Sequence, residues 1–257
     1  MDSIRASKRS RFIAELCLGL CVAFTFEKAA LASYEDYVNE TLAYQTEEAN
    51  ELEPEYWLDL GVIQNSDIKF SRDHVALEYG LSGHTLLELR AVFLTLSFKP
   101  TVLDTLQLEG RHRFLEAGKG PLDVAAAVEL NTRRRDDGSF VYGMEPRLIV
   151  SKTLDPLQFT LNLAGTVSFS GEPDDLVPSF GLRFNFNQIF RLGAEVAYGN
   201  DSHEGAVTPQ AWLDLPGATT LKIGDVLGFD QNRENFFRFA FEFEFLNLLE
   251  GGKGEKE

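Results

Sequence analysis

The sequence predicts an all-β fold, an antiparallel up-and-down β-barrel of about 12 strands preceded by a short N-terminal helical or disordered segment. Apolar and polar residues alternate from about residue 57 to residue 245, and successive side chains of a strand point to opposite faces. Turn residues such as Gly199-Asn200-Asp201 and Pro216-Gly217 separate the alternating stretches. Each strand with its connection takes about 16 residues, which leaves no room for the helix that parallel strands need between them.

The composition is that of a folded, acidic chain. The protein has 257 residues, a formal net charge of −16, 44% hydrophobic residues and only two cysteines. The hydrophobic fraction excludes wholesale disorder. The negative charge argues against a nucleic-acid-binding protein, because binding a phosphate backbone requires a basic surface.

Residues 1–32 have the three parts of a secretory signal peptide. A basic start precedes an apolar run, Leu16–Phe26, and an Ala30-Leu31-Ala32 cleavage site. The apolar run is too short to span a bilayer, and a short core helix is the alternative. Cleavage after Ala32 would remove both cysteines, Cys17 and Cys21, and with them any disulfide, thiolate metal ligand or cysteine nucleophile.

Residues 33–54 are predicted to form an acidic N-terminal periplasmic segment. Five residues have helical spacing and lie among acidic ones: Tyr34, Tyr37, Val38, Thr41 and Leu42. A short helix or a linker fits this pattern. Such a segment would either plug the barrel or form a solvated tail, and the pattern favours the tail.

The barrel itself is predicted over residues 55–245, and residues 246–257 are predicted to form a polar C-terminal tail. The clearest strands are Leu157–Phe169 and Phe237–Phe245, where apolar residues recur at every second position. Each such strand has one apolar and one polar face. Strands are expected to begin near Trp57, Val75, Leu86, Thr105, Asp123, Phe140, Leu157, Pro178, Arg191, Val207, Leu221 and Phe236.

The two faces favour a transmembrane barrel over a soluble one. The polar face carries both signs of charge, which suits a polar lumen because opposite charges can pair there. Aromatic residues such as Tyr79, Phe114, Tyr198 and Trp212 lie near strand ends, where the membrane interfaces would be. The alternative is a soluble periplasmic barrel or sandwich. The residues predicted to line the pore are Arg111, Arg113, Glu129, Arg133, Glu145, Arg147, Arg183 and Arg238.

The connections indicate the orientation of the barrel. If both ends of the barrel lie in the periplasm, the even-numbered connections face that compartment and should be short. The odd-numbered connections are longer and more polar, as in Asn65–Asp73 and Gly199–Gly205. The even-numbered turns lie near Ser82-Gly83, Gly118-Lys119-Gly120, Asp155-Pro156, Asn187-Gln188 and Pro216-Gly217.

No catalytic site, metal site or cofactor is predicted. The run Ser202-His203-Glu204 has the residue types of a lipid hydrolase, but adjacent loop residues point apart, so a solvated loop is expected. The other histidines, His74, His84 and His112, are scattered rather than clustered as metal ligands. His112 falls on the apolar face of its strand.

Two stretches resemble known outer-membrane proteins. The closing strand resembles the aromatic last strand by which outer-membrane barrels are recognised for assembly, although twelve residues follow Phe245. Its aromatic residues are Phe237, Phe239, Phe241, Phe243 and Phe245. The stretch Glu78–Leu89 (EYGLSGHTLLEL) resembles the meta-pathway phenol-degradation and transport family of outer-membrane barrels. That resemblance implies an outer-membrane location and passage of small compounds, aromatic ones among them.

The sequence thus predicts a protein of the cell outer membrane that acts as a passive channel or transporter for small solutes, and no enzyme. A barrel of this size has a narrow lumen, so charged side chains would set its selectivity. The expected partners are outer-membrane lipid and lipopolysaccharide, the barrel-assembly machinery and small solutes. The alternatives are a soluble periplasmic barrel binding a lipid-like ligand and, last, an outer-membrane lipid hydrolase.

Overall fold

The computed structural model is a closed antiparallel β-barrel of twelve strands. It describes residues 36–63, 68–97, 99–116, 118–135, 137–171, 173–203, 205–229 and 234–245. The strands are β1 (Leu52–Ile63), β2 (Lys69–Ser82), β3 (Thr85–Leu96), β4 (Val102–Arg113), β5 (Asp123–Arg134), β6 (Phe140–Leu154), β7 (Leu157–Ser168), β8 (Asp175–Asn185), β9 (Phe190–Tyr198), β10 (Gly205–Leu215), β11 (Thr219–Gly228) and β12 (Glu234–Phe243).

Each strand pairs with its neighbours in sequence, and β1 pairs with β12 to close the barrel. In this closing pair Trp57 lies opposite Ala240 and Leu60 lies opposite Phe237. Beyond the end of β12, Phe245 exchanges two backbone hydrogen bonds with Leu52, of 2.9 and 3.0 Å. The predicted up-and-down barrel of about 12 strands is confirmed.

The outer face of the barrel is apolar and the inner face is polar. In β12, Phe237 and Phe241 are exposed on the outside, whereas Arg238 and Glu242 are buried on the inside. The alternative prediction of a barrel that binds a lipid-like ligand in an apolar interior is therefore wrong, because charged side chains occupy the lumen. Other exposed apolar residues of the strands include Leu60, Val75, Leu89, Leu108, Leu130, Leu148, Leu161, Phe180 and Val196.

Residues 36–51 precede β1, and most of them lie inside the barrel, whereas Glu48 and Ala49 are exposed. The predicted helix is wrong for these residues, because the chain there is a series of bends and turns. The predicted solvated tail is also wrong, since Tyr37, Val38 and Tyr44 are buried. Among the described residues, no helix is long and apolar enough to cross a membrane. The predicted signal peptide, Tyr34 and the C-terminal tail 246–257 lie outside the described residues.

The connections follow the predicted difference in length with one exception. Four of the even-numbered connections, 83–84, 155–156, 186–189 and 216–218, are the shortest in the barrel. The β4–β5 connection, 114–122, was expected to be short but is longer than the connections at the opposite end. Gly118, which has a left-handed φ of 71°, donates its N–H to the carboxylate of Asp123 at 2.7 Å and so closes this loop.

Candidate functional site

The candidate site is the barrel lumen together with residues 36–51, here called the lumen segment. This segment runs across the lumen before it reaches β1, and its backbone has few partners within itself. Buried N–H and C=O groups must find hydrogen-bond partners. In the lumen segment these partners are mostly side chains of the barrel wall.

Glu195 on β9 binds the lumen segment at three consecutive residues. Its carboxylate accepts hydrogen bonds from the backbone N–H groups of Asn39 at 2.6 Å, Glu40 at 2.9 Å and Thr41 at 2.9 Å. Glu195 is itself buried. A buried carboxylate is costly unless it is hydrogen-bonded, and these three donors compensate much of that cost.

Asp36 and Arg111 form a bidentate ionic contact between the lumen segment and the wall. Arg111 on β4 donates from Nη1 to Oδ1 at 2.9 Å and from Nη2 to Oδ2 at 2.7 Å. Asp36 also accepts the backbone N–H of Ala43, which folds the segment back on itself. Burial alone would raise the pKa of Asp36, but Arg111 and the nearby Lys222 outweigh it, so the pKa lies below its ordinary value.

Two further side chains bind the backbone of the segment. Asn162 on β7 accepts the N–H of Leu42 at 2.8 Å and donates to the Leu42 carbonyl at 3.0 Å. Val38 is held from two sides, since its N–H donates to Gln210 at 2.6 Å and its carbonyl accepts from Arg238 at 2.7 Å. The segment is thereby fixed to opposite parts of the wall.

Small residues of the wall make space for the side chains of the segment. The Tyr37 ring meets Trp212 edge-on at 5.6 Å between ring centroids. A Cβ atom on Gly181 would lie 2.5 Å from that ring, so only glycine fits at this position. Gly224 leaves similar space for Val38. Tyr44 packs on a cluster of wall residues, namely Ala125, Ala127 and Ile149.

A cavity of about 540 Å³ occupies the remaining part of the lumen. Residues of the lumen segment between Asp36 and Leu42 form one boundary. The cavity extends to Ser168 and Pro173, which lie beside an odd-numbered connection. The segment therefore closes the lumen towards the even-numbered turns, while the cavity reaches the other end of the barrel.

Four of the predicted pore residues contact the backbone or rings of the lumen segment, and one of them is Arg111, which donates to the Ala43 carbonyl at 3.3 Å. Arg147 donates to the Glu40 carbonyl, and Arg238 donates to that of Val38. Arg183, fully buried, lies over the Tyr37 ring at 5.0 Å. With Arg111, they form a group of arginines around the segment.

The other four predicted pore residues lie elsewhere. Glu129, Arg133 and Glu145 line the cavity. Glu129 accepts amide hydrogen bonds from Gln107 at 3.0 Å and from Asn131 at 2.8 Å. Arg113 lies apart from them at the β2–β3 turn, where its Nε donates to the Gly83 carbonyl at 2.6 Å.

Sequence reasoning missed several residues of the lumen. Asp36 and Glu195 anchor the segment, but nothing in their spacing shows that they lie near their partners. A second group, Trp57, Asp59, His74 and Arg90, lies on β1, β2 and β3. The alternation places these residues on the polar face, and that is the one signal in the sequence that could have found them.

The described residues bring together neither a catalytic pair nor an open metal site. Ser202 donates its hydroxyl hydrogen to Asp175 at 2.6 Å, while His203 faces the Tyr198 hydroxyl at 3.4 Å. Glu204 lies outside the described residues. One cluster of three carboxylates, Glu53, Glu55 and Glu242, is close enough to hold an ion, but Lys222 forms an ion pair with Glu242 there.

Comparison with known proteins shows a likeness in fold. No protein-family model and no curated protein matches the sequence. The KdgM porin superposes with a TM-score of 0.56 at 10% identity, covering 75% of this chain and 99% of the porin. An outer membrane channel from Pseudomonas putida F1 gives 0.59 at 13% identity, over 82% and 100%. The NanC porin gives 0.51 at 13% identity, over 74% and 100%. At such identity, the likeness establishes that this chain shares the barrel fold of these porins and channels.

Proposed function

We propose that this protein is an outer-membrane channel for small solutes, closed by the lumen segment and opened when that segment moves. The observation that carries the proposal is a polar lumen, enclosed by a barrel with an apolar outer face and occupied by residues 36–51. An apolar outer band around a charged lumen is the arrangement of a membrane-spanning barrel. The solved porins and channels with this fold support the same class of function by analogy of fold.

The contacts of the lumen segment suit a part that can be displaced. The wall strands are joined by continuous backbone ladders, whereas most polar contacts of the segment go to side chains such as Glu195, Asn162 and Gln210. A neutral hydrogen bond, such as those of Asn162 and Gln210, contributes only about 0.5–1.5 kcal/mol, because water replaces the partner when it is lost. The segment can therefore leave its seat without opening the barrel wall.

Export and assembly complete the proposal. The N-terminal 32 residues would direct export and be cut after Ala32, and lipid and lipopolysaccharide would surround the apolar face. The assembly machinery would recognise the closing strand, whose outward aromatic residues include Phe237, Phe241 and Phe243. Membership of the phenol-degradation and transport family is supported by the residues 78–89, which form the tight hairpin between β2 and β3.

A second candidate function is a permanently closed, structural barrel. The arginines of the lumen favour it, because each of Arg111, Arg147 and Arg238 is paired with a carboxylate. The pair of Arg111 with Asp36 holds the segment in the lumen, and the other two leave fewer free charges for a solute. The two candidates differ in whether the segment moves.

Planar-bilayer recording of the full chain separates the two candidates. We expect rare, brief conductance steps from the wild type, because the segment blocks the lumen most of the time. Glu195→Gln removes a charge that binds three backbone N–H groups and should increase the open time several-fold. Glu116→Gln, the same change at a partly exposed carboxylate of the β4–β5 connection, should not. Complete silence of all three proteins would favour the structural barrel.

A further inference from the structure

We propose that Trp57 and His74 form a binding site for a hydroxyl group of an uncharged solute in the wall of the lumen cavity. The two residues lie on neighbouring strands, β1 and β2, and are direct cross-strand partners. Both line the 540 Å³ cavity. The role of this site in solute selection rests on the proposed channel function, whereas the binding itself does not.

Asp59 and Arg238 fix the orientation and the tautomer of His74. Asp59, fully buried, accepts two hydrogen bonds from Arg238, at 2.6 and 2.7 Å. Its Oδ2 also lies 3.1 Å from Nε2 of His74. Since an ionised carboxylate can only accept, Nε2 must carry the proton. In neutral His74 the other ring nitrogen, Nδ1, is then an acceptor.

Each of the two side chains has one polar atom without a partner. Nδ1 of His74 and Nε1 of Trp57 are both buried, and neither has a hydrogen-bond partner among the described residues. The first is an acceptor and the second is a donor. Their rings lie 5.8 Å apart between centroids. A hydroxyl group, which both donates and accepts, matches this combination of one acceptor and one donor.

The charges around the site favour an uncharged solute. Arg90 and Arg238 lie over the Trp57 ring at 3.9 and 4.7 Å from its centroid. Both arginines are already paired, Arg90 with Glu55 at 2.7 Å and Arg238 with Asp59 at 2.6 Å. An anion would have to displace one of these carboxylates, and a cation would meet the guanidinium groups. A neutral ligand meets neither penalty.

Three six-membered-ring compounds of similar size provide the probes. Cyclohexanol has a donor and an acceptor, cyclohexanone has only an acceptor, and cyclohexanecarboxylate is an anion. The chain has two tryptophans, so a nitrogen–proton NMR spectrum of the full chain in micelles at pH 8 should show two indole signals, assigned with Trp57→Phe. We expect cyclohexanol to move the Trp57 signal saturably and leave that of Trp212 in place.

A pair of histidine substitutions provides the control. His74→Phe removes the acceptor and should weaken cyclohexanol binding about three- to tenfold, the worth of one neutral hydrogen bond. His112→Phe makes the same change on the outer face, where His112 contacts Thr85 and Phe114, and should bind like the wild type. Nitrogen-15 spectra of labelled histidine in the wild type test the tautomer without any substitution.

Several results would overturn the site. In the titration, equal movement of both indole signals, or of neither, would do so, as would binding of the ketone or the carboxylate as tight as that of the alcohol. Unchanged cyclohexanol binding by a folded His74→Phe protein, or a proton on Nδ1 of His74 in the wild type, would also overturn it. Binding without bilayer conductance would defeat the channel and keep the site. Conductance without cyclohexanol binding would defeat the site and keep the channel.

Discussion

At the scale of single residues, Asp36 joins three parts of the structure. Its carboxylate binds Arg111 of the wall and the N–H of Ala43 in its own segment. Its backbone carbonyl accepts from Trp212 at 3.3 Å. Because hydrogen bonds between charged groups are worth about 1.5–3 kcal/mol, Asp36 should supply much of the free energy that holds the lumen segment in place.

The pKa of Asp36 leads to a prediction about pH. A carboxyl group whose pKa is lowered in the folded state stabilises that state above its ordinary pKa, and the stabilisation is lost as the pH falls through the lowered value. Protonation of Asp36 should therefore contribute a red shift of the Trp212 emission below about pH 4, measured in a Trp57→Phe background.

A substitution of Asp36 removes permanently the charge that acid removes in the pH experiment. Asp36→Asn should shift the Trp212 emission to the red at every pH, since the charge that binds Arg111 is gone. Asp137→Asn, in an exposed connection, is the control, because hydrogen bonds from Ser139 lower the pKa of Asp137 without any contact with the segment. Persistence of the transition below about pH 4 in the Asp36→Asn variant, or equal effects of the two variants, would contradict the role assigned to Asp36.

At the scale of elements, the lumen segment is the part for which the sequence pattern gave a wrong prediction, a helix or a solvated tail. The positions of Tyr37, Val38, Thr41 and Leu42 fit one face of a helix, but the lumen offers separate small contacts, such as the apolar cluster beside Tyr44 and Leu42. Instead, each side chain packs against its own part of the wall, as the Tyr37 ring packs against Gly181. The contacts join residues far apart in sequence, 156 positions in the case of Asn39 and Glu195. A local pattern carries no information about such pairs.

A substitution at Gly181 tests directly whether the packing of Tyr37 against the wall holds the lumen segment. Gly181→Ala would place a methyl carbon 2.5 Å from the Tyr37 ring, and overpacking of this kind costs about 1–3 kcal/mol. We expect the ring to be displaced, the Trp212 emission to shift to the red and the channel to open more often. Gly165→Ala is the matched control, because no atom lies within 4 Å of its added Cβ. Identical Trp212 emission and channel opening in the two variants would show that the packing of Tyr37 against Gly181 does not hold the segment.

At the scale of the whole molecule, the barrel could be predicted because its pattern is local. Alternation in β7 and β12 shows both the strand and its two faces, and the number of turns gives the number of strands. The same pattern places the arginines of the lumen on the polar face, where Arg111, Arg183 and Arg238 are buried. It could not show that Arg111 and Arg238 bind a segment rather than line an open pore, because that depends on what fills the barrel.

The apolar outer face predicts how the whole barrel responds to a charge. Leu161→Arg would put a charge on the lipid side of β7 and should destabilise the barrel in lipid vesicles by about 2–4 kcal/mol. Thr166→Arg, on the same strand but beside the cavity, should be tolerated. Guanidinium unfolding in lipid vesicles measures the free energy of unfolding of both variants.

The wild type should migrate differently in a denaturing gel before and after heating. A soluble protein without such a shift would contradict the membrane barrel.

A disulfide between the lumen segment and the wall tests most directly whether the segment closes the channel. The hydroxyl oxygens of Thr41 and Ser179 lie 3.0 Å apart, and residues 33–257 contain no cysteine, so Thr41→Cys with Ser179→Cys would tether the segment to β8. Thr95→Cys with Thr101→Cys is the control, since these hydroxyls are 2.7 Å apart in the β3–β4 region, away from the segment.

Conductance of the two double variants in planar bilayers gives the answer. If the lumen segment must leave its seat for solutes to pass, the oxidised Thr41–Ser179 variant should be silent, and a reductant should restore the steps of the wild type. The oxidised control should conduct like the wild type throughout. Unchanged conductance of the fully oxidised Thr41–Ser179 variant would contradict closure by the lumen segment.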